Sequence, residues 1–378
     1  MKILIVGGGI GGLTLAGFLK DSSIEFEIIE KATNWNTQGF SLGIWNNGRN
    51  ILEKLGIADI FDKEGNRIRY YKICDGKGKL LRLYNLSEFY SAYGLAYSHI
   101  ERYILHTMLL DRAGRERITL GVEVQSLSES GAGVQVTFNN GETKIYDFVV
   151  GADGIHSEVR NLFFDNHSEH FDNWRVWYAW IDNSFGQHAT VTEYIEAGEF
   201  VGVFDAGHRT LVVLIAPAKH TIWDDVTGRL NRLKEIFKDE THLAGFLNNL
   251  KEEEIIPTDL SHVEMKKWFK GRVILVGDAA HGFEPHAGLG ASMAMEDGYV
   301  LAGELMKISS TYTYDQAFAN YQKTRQKRVK IAHSLTNRMR AWAFIKSKLW
   351  RKIVNILIPL IPQSFFTKKY HQLLKEEI

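Results

Sequence analysis

Residues 3–30 constrain the fold more than any other stretch. Four apolar residues, Ile3-Leu4-Ile5-Val6, run straight into Gly7-x-Gly9-x-x-Gly12, and Leu13, Ala16, Gly17 and Leu19 follow at helical spacing. An apolar run without polar alternation reads as a strand buried on both faces, as in a parallel sheet. Glu27-Ile28-Ile29-Glu30 reads as a second strand, with Glu30 lying 18 residues beyond Gly12. Strand, glycine turn, helix and strand ending in an acid make a dinucleotide-binding pattern. Gly7 permits the tight turn, Gly9 removes a side chain where a pyrophosphate must approach, and Gly12 lets the helix pack on the strand. Ile10 and Gly11 open the helix, whose N–H groups and positive dipole end favour an anion. A carboxylate at Glu30 accepts hydrogen bonds from ribose hydroxyls and repels a 2′-phosphate, so the bound nucleotide is FAD or NAD rather than NADP. This unit alone does not separate the two.

At 378 residues the chain has room for two or three domains, or one large split domain. The 45 basic and 45 acidic side chains cancel, so no bulk charge points to nucleic acid. A single cysteine, Cys74, excludes an intramolecular disulfide and a cysteine-cluster metal site, and no metal ligand is assigned. The opening apolar run of four residues falls short of the roughly 7–15 of a secretory signal. No stretch approaches the roughly 18 apolar residues of a membrane span. The expected compartment is the cytoplasm.

Two further motifs repeat the theme of an apolar strand feeding a glycine turn. The first is Phe148-Val149-Val150-Gly151-Ala152-Asp153-Gly154, with Ser157 and Arg160 following at helical spacing. The second is Val273-Ile274-Leu275-Val276-Gly277-Asp278-Ala279-Ala280-His281, then Pro285, Gly288, Leu289, Gly290 and a helix with a small face of Ala291, Ser292 and Ala294, followed by Asp297. Small residues let backbone approach a flat ligand. Asp278 can hold a sugar-like hydroxyl chain, and the helix start near Gly290 can stabilise negative charge on a reduced ring.

In this order and spacing the three motifs resemble those of the single-component (group A) FAD-dependent aromatic hydroxylases, a family that includes p-hydroxybenzoate hydroxylase and the tetracycline-inactivating monooxygenases. The residues that carry the resemblance are Gly7 to Gly12 with Glu30-Lys31, Gly151 to Gly154, and Gly277 to His281 with Pro285, Gly288 and Gly290. Ile100-Glu101-Arg102-x-x-Leu105 is similar to the family's flavin-contacting arginine at a helix start, and Gly43-Ile44 to the stretch beside the flavin ring. Departures are Asp21-Ser22-Ser23 after the first helix, and Glu284-Pro285-His286 and Ala291-Ser292 around the flavin loop.

The resemblance implies an α/β fold. A Rossmann-like FAD-binding domain (1–72, 99–170 and 267–335) is interrupted by a mostly antiparallel β-sheet substrate domain (73–98 and 171–266). A C-terminal basic amphipathic helical segment (336–378) follows. The resemblance implies FAD as resident cofactor, NADPH or NADH as a transient co-substrate, and O2. It implies hydroxylation through a flavin C4a-hydroperoxide, with no catalytic side chain named because the flavin carries the chemistry. By the same route, Glu30 holds the adenosine ribose, Arg102 with Asp153 lies near the pyrophosphate, Asp278 holds the ribityl chain, and Pro285 to Gly290 runs along the isoalloxazine, with Lys31, Gly154 and Ala291 also counted in the cofactor site.

Between residues 171 and 266, three alternating runs (Thr190 to Glu196, Glu199 to Asp205, Arg209 to Ala216) are separated by tight turns and read as an antiparallel meander. Phe200 and Phe204 share one face at period two. Trp174, Trp177 and Trp180 recur at every third position. For each aromatic the plain account is core packing. Together Trp177, Trp180, Phe200 and Phe204, with Trp45 in the opposite wall of residues 38–48, point to an apolar, aromatic or polycyclic small-molecule substrate. His286 either sits near the flavin or faces solvent from its loop. His188, His208 and His220 read as solvated loop histidines.

From Tyr321 to Ile378 there are 14 Lys plus Arg against 2 Glu. Trp342 to Leu357 alternates apolar and basic residues at helical spacing until Pro359 and Pro362. A helix packed on the flavin domain, a lid over the substrate site and a membrane-surface helix all fit. Oligomeric state, monomer or homodimer, is not readable. Three rival functions share the motifs. A prenyl-lipid reductase is one. A flavin-dependent halogenase is another, against which Trp177-Tyr-Ala-Trp180-Ile181-Asp182 departs from Trp-x-Trp-x-Ile-Pro. The third is a flavin-binding sensor without turnover.

Overall fold

The computed structural model describes residues 1–35, 39–94, 97–164, 169–182, 188–240, 244–248 and 250–375. Gln38, the first residue of the expected 38–48 wall, lies outside them. Two sheets organise the chain. The first runs Phe269–Lys270, Val273–Leu275, Phe148–Gly151, Lys2–Val6, Glu25–Glu30 and Ile118–Leu120, parallel except at the Phe269–Lys270 edge. Its central strand is fully buried from Ile3 to Ile5, which is why that run carries no polar alternation. Val6 pairs with both Ile29 and Gly151, and Gly151 pairs with Leu275. The register therefore brings Gly7, Ala152-Asp153 and Gly277-Asp278 to the carboxyl ends of adjacent parallel strands. In open α/β sheets that is the edge where ligands bind.

The second sheet has seven strands, in the order Ile256–Val263, Glu169–Asp182, Arg209–Pro217, Glu199–Asp205, Thr190–Glu196, Tyr70–Asp75 and Leu80–Asn85. All neighbours are antiparallel except Thr190–Glu196 against Tyr70–Asp75. One face carries Trp174, Val176, Tyr178, Phe200, Leu211 and Val213, with Trp180, Phe204 and Phe40 packed on them. The other face carries Trp177, Ala179, Ile181, Val201 and Val203 under Leu233 and Phe237, the latter two at or beside the Arg229–Ile236 helix. This corrects the grouping of the tryptophans. A spacing of three on a strand alternates faces, so Trp177 is turned away from Trp174 and Trp180. Its Nε1 donates to Asp224 Oδ2 at 3.1 Å on the far side.

The carboxy-terminal part is three helices, Tyr314–Ala343, Lys348–Leu357 and Gln363–Lys375. The first spans 30 residues and begins with a capping box, the Thr313 side chain accepting from Gln316 N while the Gln316 side chain returns to the Thr313 N–H. Thr313→Ala removes one of these bonds and is expected to cost about 1 kcal/mol. Calorimetry should read this as a melting temperature lower by roughly 1–3 °C.

Candidate functional site

The cradle at the sheet's carboxyl edge is built from backbone. Gly7 has φ +109°, and a Cβ there would lie 2.4 Å from Ala152 O, so the turn itself demands glycine. Gly9 differs. It has an ordinary φ of −82° as N-cap of the Ile10–Leu19 helix, and the nearest atom to an added Cβ is Ala152 O at 3.9 Å. Gly290, first residue of the Gly290–Leu305 helix, has nothing within 4 Å of such a Cβ. Both helices start without a capping side chain and without an acid in the first turn. Two open, uncapped helix N-termini with glycines that the protein's own packing does not require fit a bound anion and a flat ring.

Glu30 closes the cradle. Its Oε2 accepts from Gly8 N and its Oε1 from Ala32 N, each at 2.9 Å. Lys31 beside it is exposed. Arg102 starts the Arg102–Ala113 helix, its N–H donating to Phe40 O at 3.0 Å. One turn on, His106 Nε2 meets Gly8 O at 2.7 Å, tying this helix to the glycine turn. The Asp153 carboxylate is occupied locally. Ser157 Oγ, Glu158 N and Val159 N all donate to it, so it caps the Glu158–Phe163 helix next to Gly154. Arg160 is 1% exposed and donates to Ile155 O and Ala279 O, joining the second motif to the third.

Asp278 is open to solvent in a recess, yet enough protein surrounds it that burial pushes its carboxyl up. The turn before it is held from beneath by a network that sequence reasoning missed. Asp297 Oδ2 accepts from Gly277 N at 2.8 Å and meets His281 Nε2 at 2.6 Å. Asp297 Oδ1 accepts from Arg325 Nε at 2.5 Å, Arg325 also pairs with Glu296, and Arg328 Nη2 reaches Glu296 Oε1 at 2.6 Å. Burial alone would raise Asp297, but the His281 and Arg325 charges outweigh it and hold the carboxyl down to about 2. Two adjacent acids on a helix of small and apolar residues were the available signal.

Of the remaining expected residues, Ile44 and Leu289 are core side chains at 1% and 2% exposure, so only their backbone can face a ligand. A Cβ at Gly43 would sit 2.4 Å from Tyr97 Oη, so the packing of Tyr97 requires that glycine. Ile10 opens the first helix and Gly11 faces Ala294 of the 290–305 helix, 3.6 Å from an added Cβ. Pro285 begins a short 3-10 turn that ends at Gly288, and Ala291 follows Gly290 in the helix. The His286 side chain is 3% exposed and lies edge-on to Phe344 and Phe200, which removes the solvent-facing alternative. Trp180 Nε1 donates to Gly39 O at 2.6 Å.

A cavity of ≈ 120 Å³ lies between the second sheet and the carboxy-terminal helices. A water needs about 10–15 Å³ and an apolar cavity of about 150 Å³ takes a benzene, so the space as it stands has room for roughly one aromatic ring. Its walls include Trp45, Phe89, Ile195, Met339, Trp342 and Tyr370. Trp45 Nε1 and Tyr370 Oη both donate to Ala287 O at 3.3 Å, so the cavity abuts the Pro285–Gly290 loop. Among this apolar lining stands Glu193, buried, with the Tyr71 hydroxyl donating to its Oε1. Burial pushes its carboxyl up to about 7, against the opposing pull of the Tyr71 hydrogen bond. Close by, His99 bridges Ser41 Oγ at 2.8 Å and Tyr97 Oη at 2.9 Å and is kept neutral, its pKa lowered by burial to about 3. Trp45 is thus the sequence-predicted substrate residue found in the cavity wall. Trp180, Phe200 and Phe204 lie on the same sheet face outside its lining, and Trp177 lies on the other face.

Comparison with known proteins accords with this geometry. Residues 1–336 match the FAD binding domain family. YetM of Bacillus subtilis (strain 168) is 31% identical over 326 residues, 84% of this chain and 87% of that one. The aurachin C monooxygenase/isomerase of Stigmatella aurantiaca is 29% identical over 331 residues, 87% of this chain and 86% of its own. The fold is that of Klebsiella pneumoniae HpxO complexed with FAD and uric acid, with a TM-score of 0.90 and 22% identity over 99% of this chain and 97% of that chain. The chain belongs to the FAD binding domain family and is a flavoprotein of the group A class, an FAD-dependent monooxygenase.

Proposed function

We propose that this chain consumes NAD(P)H and O2 to place one oxygen atom on an electron-rich aromatic or heteroaromatic ring of a largely apolar substrate. The observation that carries the reading is the apolar cavity with one buried carboxylate–phenol pair, Glu193–Tyr71, set against the Pro285–Gly290 loop. FAD, when bound, supplies the redox chemistry and the activation of oxygen. The protein does the rest. The N-termini at Gly9 and Gly290 would hold the pyrophosphate and the ring, Glu30 the ribose, and Asp278 the ribityl hydroxyls. Trp45, Phe89 and Tyr370 exclude water and orient the substrate ring. Glu193 accepts the proton of the substrate's phenol or ring N–H, which raises electron density at the carbon to be oxygenated.

Anaerobic bleaching of the yellow protein by NADPH or NADH, with and without a panel of phenols and N-heterocycles, tests this function. Strong acceleration by one compound supports it. Bleaching that no compound alters, alongside prompt bleaching by dithionite, favours the reductase or halogenase reading. The cofactor assignment has its own test. A Cβ at Gly9 meets nothing closer than 3.9 Å, so in Gly9→Ala the apoprotein's melting temperature should shift by less than about 2 °C. FAD affinity should fall at least ~100-fold, about 2.7 kcal/mol, in a titration of FAD fluorescence. An unchanged affinity would remove Gly9 from the cofactor site.

A further inference from the structure

The Lys348–Leu357 helix is built inside out. A surface helix ordinarily buries its apolar stripe and turns its charges to water. Here the inward position is taken by a charge, while Lys348 and Lys352 stay exposed: Arg351 is 1% exposed and donates to Trp342 O at 2.6 Å and Ala343 O at 2.9 Å, fastening the helix to the end of the 314–343 helix. The apolar residues face out, with Leu349 and Ile356 each 70% exposed and Trp350 62%. With Ile353 and Leu357 they stand at i, i+1, i+4, i+7 and i+8 from Leu349, one continuous face, and Leu360 extends it at 75% exposure. A contiguous exposed apolar face of this kind marks an interaction site.

Charge decides what it meets. From Arg338 to Lys375 the sequence holds no Asp or Glu, while Lys346, Lys348, Lys352 and Lys368 are exposed. The acids facing this part of the chain are Glu196, near Arg351, Glu199, which Lys348 partly balances, Asp172 and Glu284, which pair with Arg340, and Glu88, which meets His371 at 3.1 Å. A second copy would meet this surface through a two-fold axis, which sets like patches together and opposes the lysines to their own images. An anionic bilayer accepts both parts, the apolar face at the acyl boundary and the lysines among headgroups, with Trp350 at the depth tryptophan favours. Helices too short and polar to span a membrane can still lie in its surface, and no helix among the described residues is long and apolar enough to cross one.

We propose that the 348–357 helix docks this enzyme on an anionic lipid bilayer. The helix itself lines none of the cavity, but the chain on either side of it does: Trp342 and Ala343 precede it, and Ile358, Thr367 and Tyr370 follow it. Docking would therefore hold those flanking walls near the lipid, where an apolar substrate is dissolved. That last step rests on the function proposed above; docking itself does not.

The test is co-sedimentation of the FAD-loaded full chain with vesicles of phosphatidylcholine containing phosphatidylglycerol, and with pure phosphatidylcholine. Binding is expected to the anionic vesicles at low salt. The bound-to-free ratio should fall at least ~10-fold on neutral vesicles, at high salt, and in Leu349→Glu/Ile356→Glu. Both substituted side chains are exposed, so the variant should keep its flavin absorbance and melting temperature, which shows that it is folded. Absence of binding to anionic vesicles overturns the proposal, as does binding that the variant leaves undiminished. Concentration-dependent dimers in light scattering, abolished by the variant and without lipid binding, would reassign the face to contact between copies. None of these readouts uses turnover, so failure here leaves the proposed reaction standing.

Discussion

Glu193→Gln should lower kcat for a phenolic or N–H-bearing substrate by roughly 10²-fold or more, the usual worth of a general base, while FAD affinity stays unchanged. The carboxylate stands in an apolar cavity with the Tyr71 hydroxyl on Oε1, and glutamine keeps the shape but cannot take a proton. Because burial pushes this carboxyl up to about 7, the parent's kcat should rise with pH through that value as the base ionises. The rising limb should vanish in the variant. Stability moves the other way. A carboxyl whose folded pKa is raised holds its proton longer in the folded state than in the unfolded chain, so stability present below pH ~4.5 is lost as pH climbs through about 7. Glu193→Gln should therefore melt at a higher temperature than the parent above pH 7, with the gap closing below pH ~4.5. A variant of lower stability at all pH values with a flat kcat profile would show that Glu193 only packs.

Arg325→Met is expected to cost about 3–5 kcal/mol of stability, the effect of removing one partner from a buried ion network. Arg325, Glu296 and Asp297 are each 0% exposed, so no solvent compensates the two carboxylates left behind. Arg328 still pairs with Glu296, and His281 with Asp297, which puts the cost nearer the lower bound. Thermal unfolding should shift down by roughly 4–6 °C. Because Asp297 also anchors Gly277 N, the Asp278 turn loosens, and FAD should be released more readily below the melting transition. Arg325→Lys restores the charge but not the two-sided geometry, so intermediate values are expected. A melting temperature equal to the parent's would show that the network is redundant.

The cofactor half of this protein was legible because glycine turns after buried strands are local patterns. Each of the three motifs lies within 28 residues of chain or fewer, and the parallel register then places them side by side. The substrate half was not legible in the same way. Tyr71 and Glu193 meet because Tyr70–Asp75 pairs in parallel with Thr190–Glu196, and no local pattern announces a contact across that separation. The tryptophan series misled because a period of three on a strand alternates faces, and only knowing that 169–182 is one strand would have separated Trp177 from its neighbours. The tail's three readings stayed open because amphipathicity tells that a helix has an apolar face but not which way it points. Arg351 settles the direction by taking the inward position.

The family match ends at residue 336, yet Arg338, Met339, Trp342, Ala343, Ile358, Thr367 and Tyr370 all line the cavity. The rest of the lining, Trp45, Tyr71, Phe89, Glu193 and Ile195 among it, lies inside the matched stretch, so the substrate space is composite. Exchange of residues 337–375 between relatives would replace one wall of that space and leave Glu193 and the three glycine turns in place. Such a chimera should change which substrates fit while the proton acceptor and the cofactor cradle are inherited unchanged.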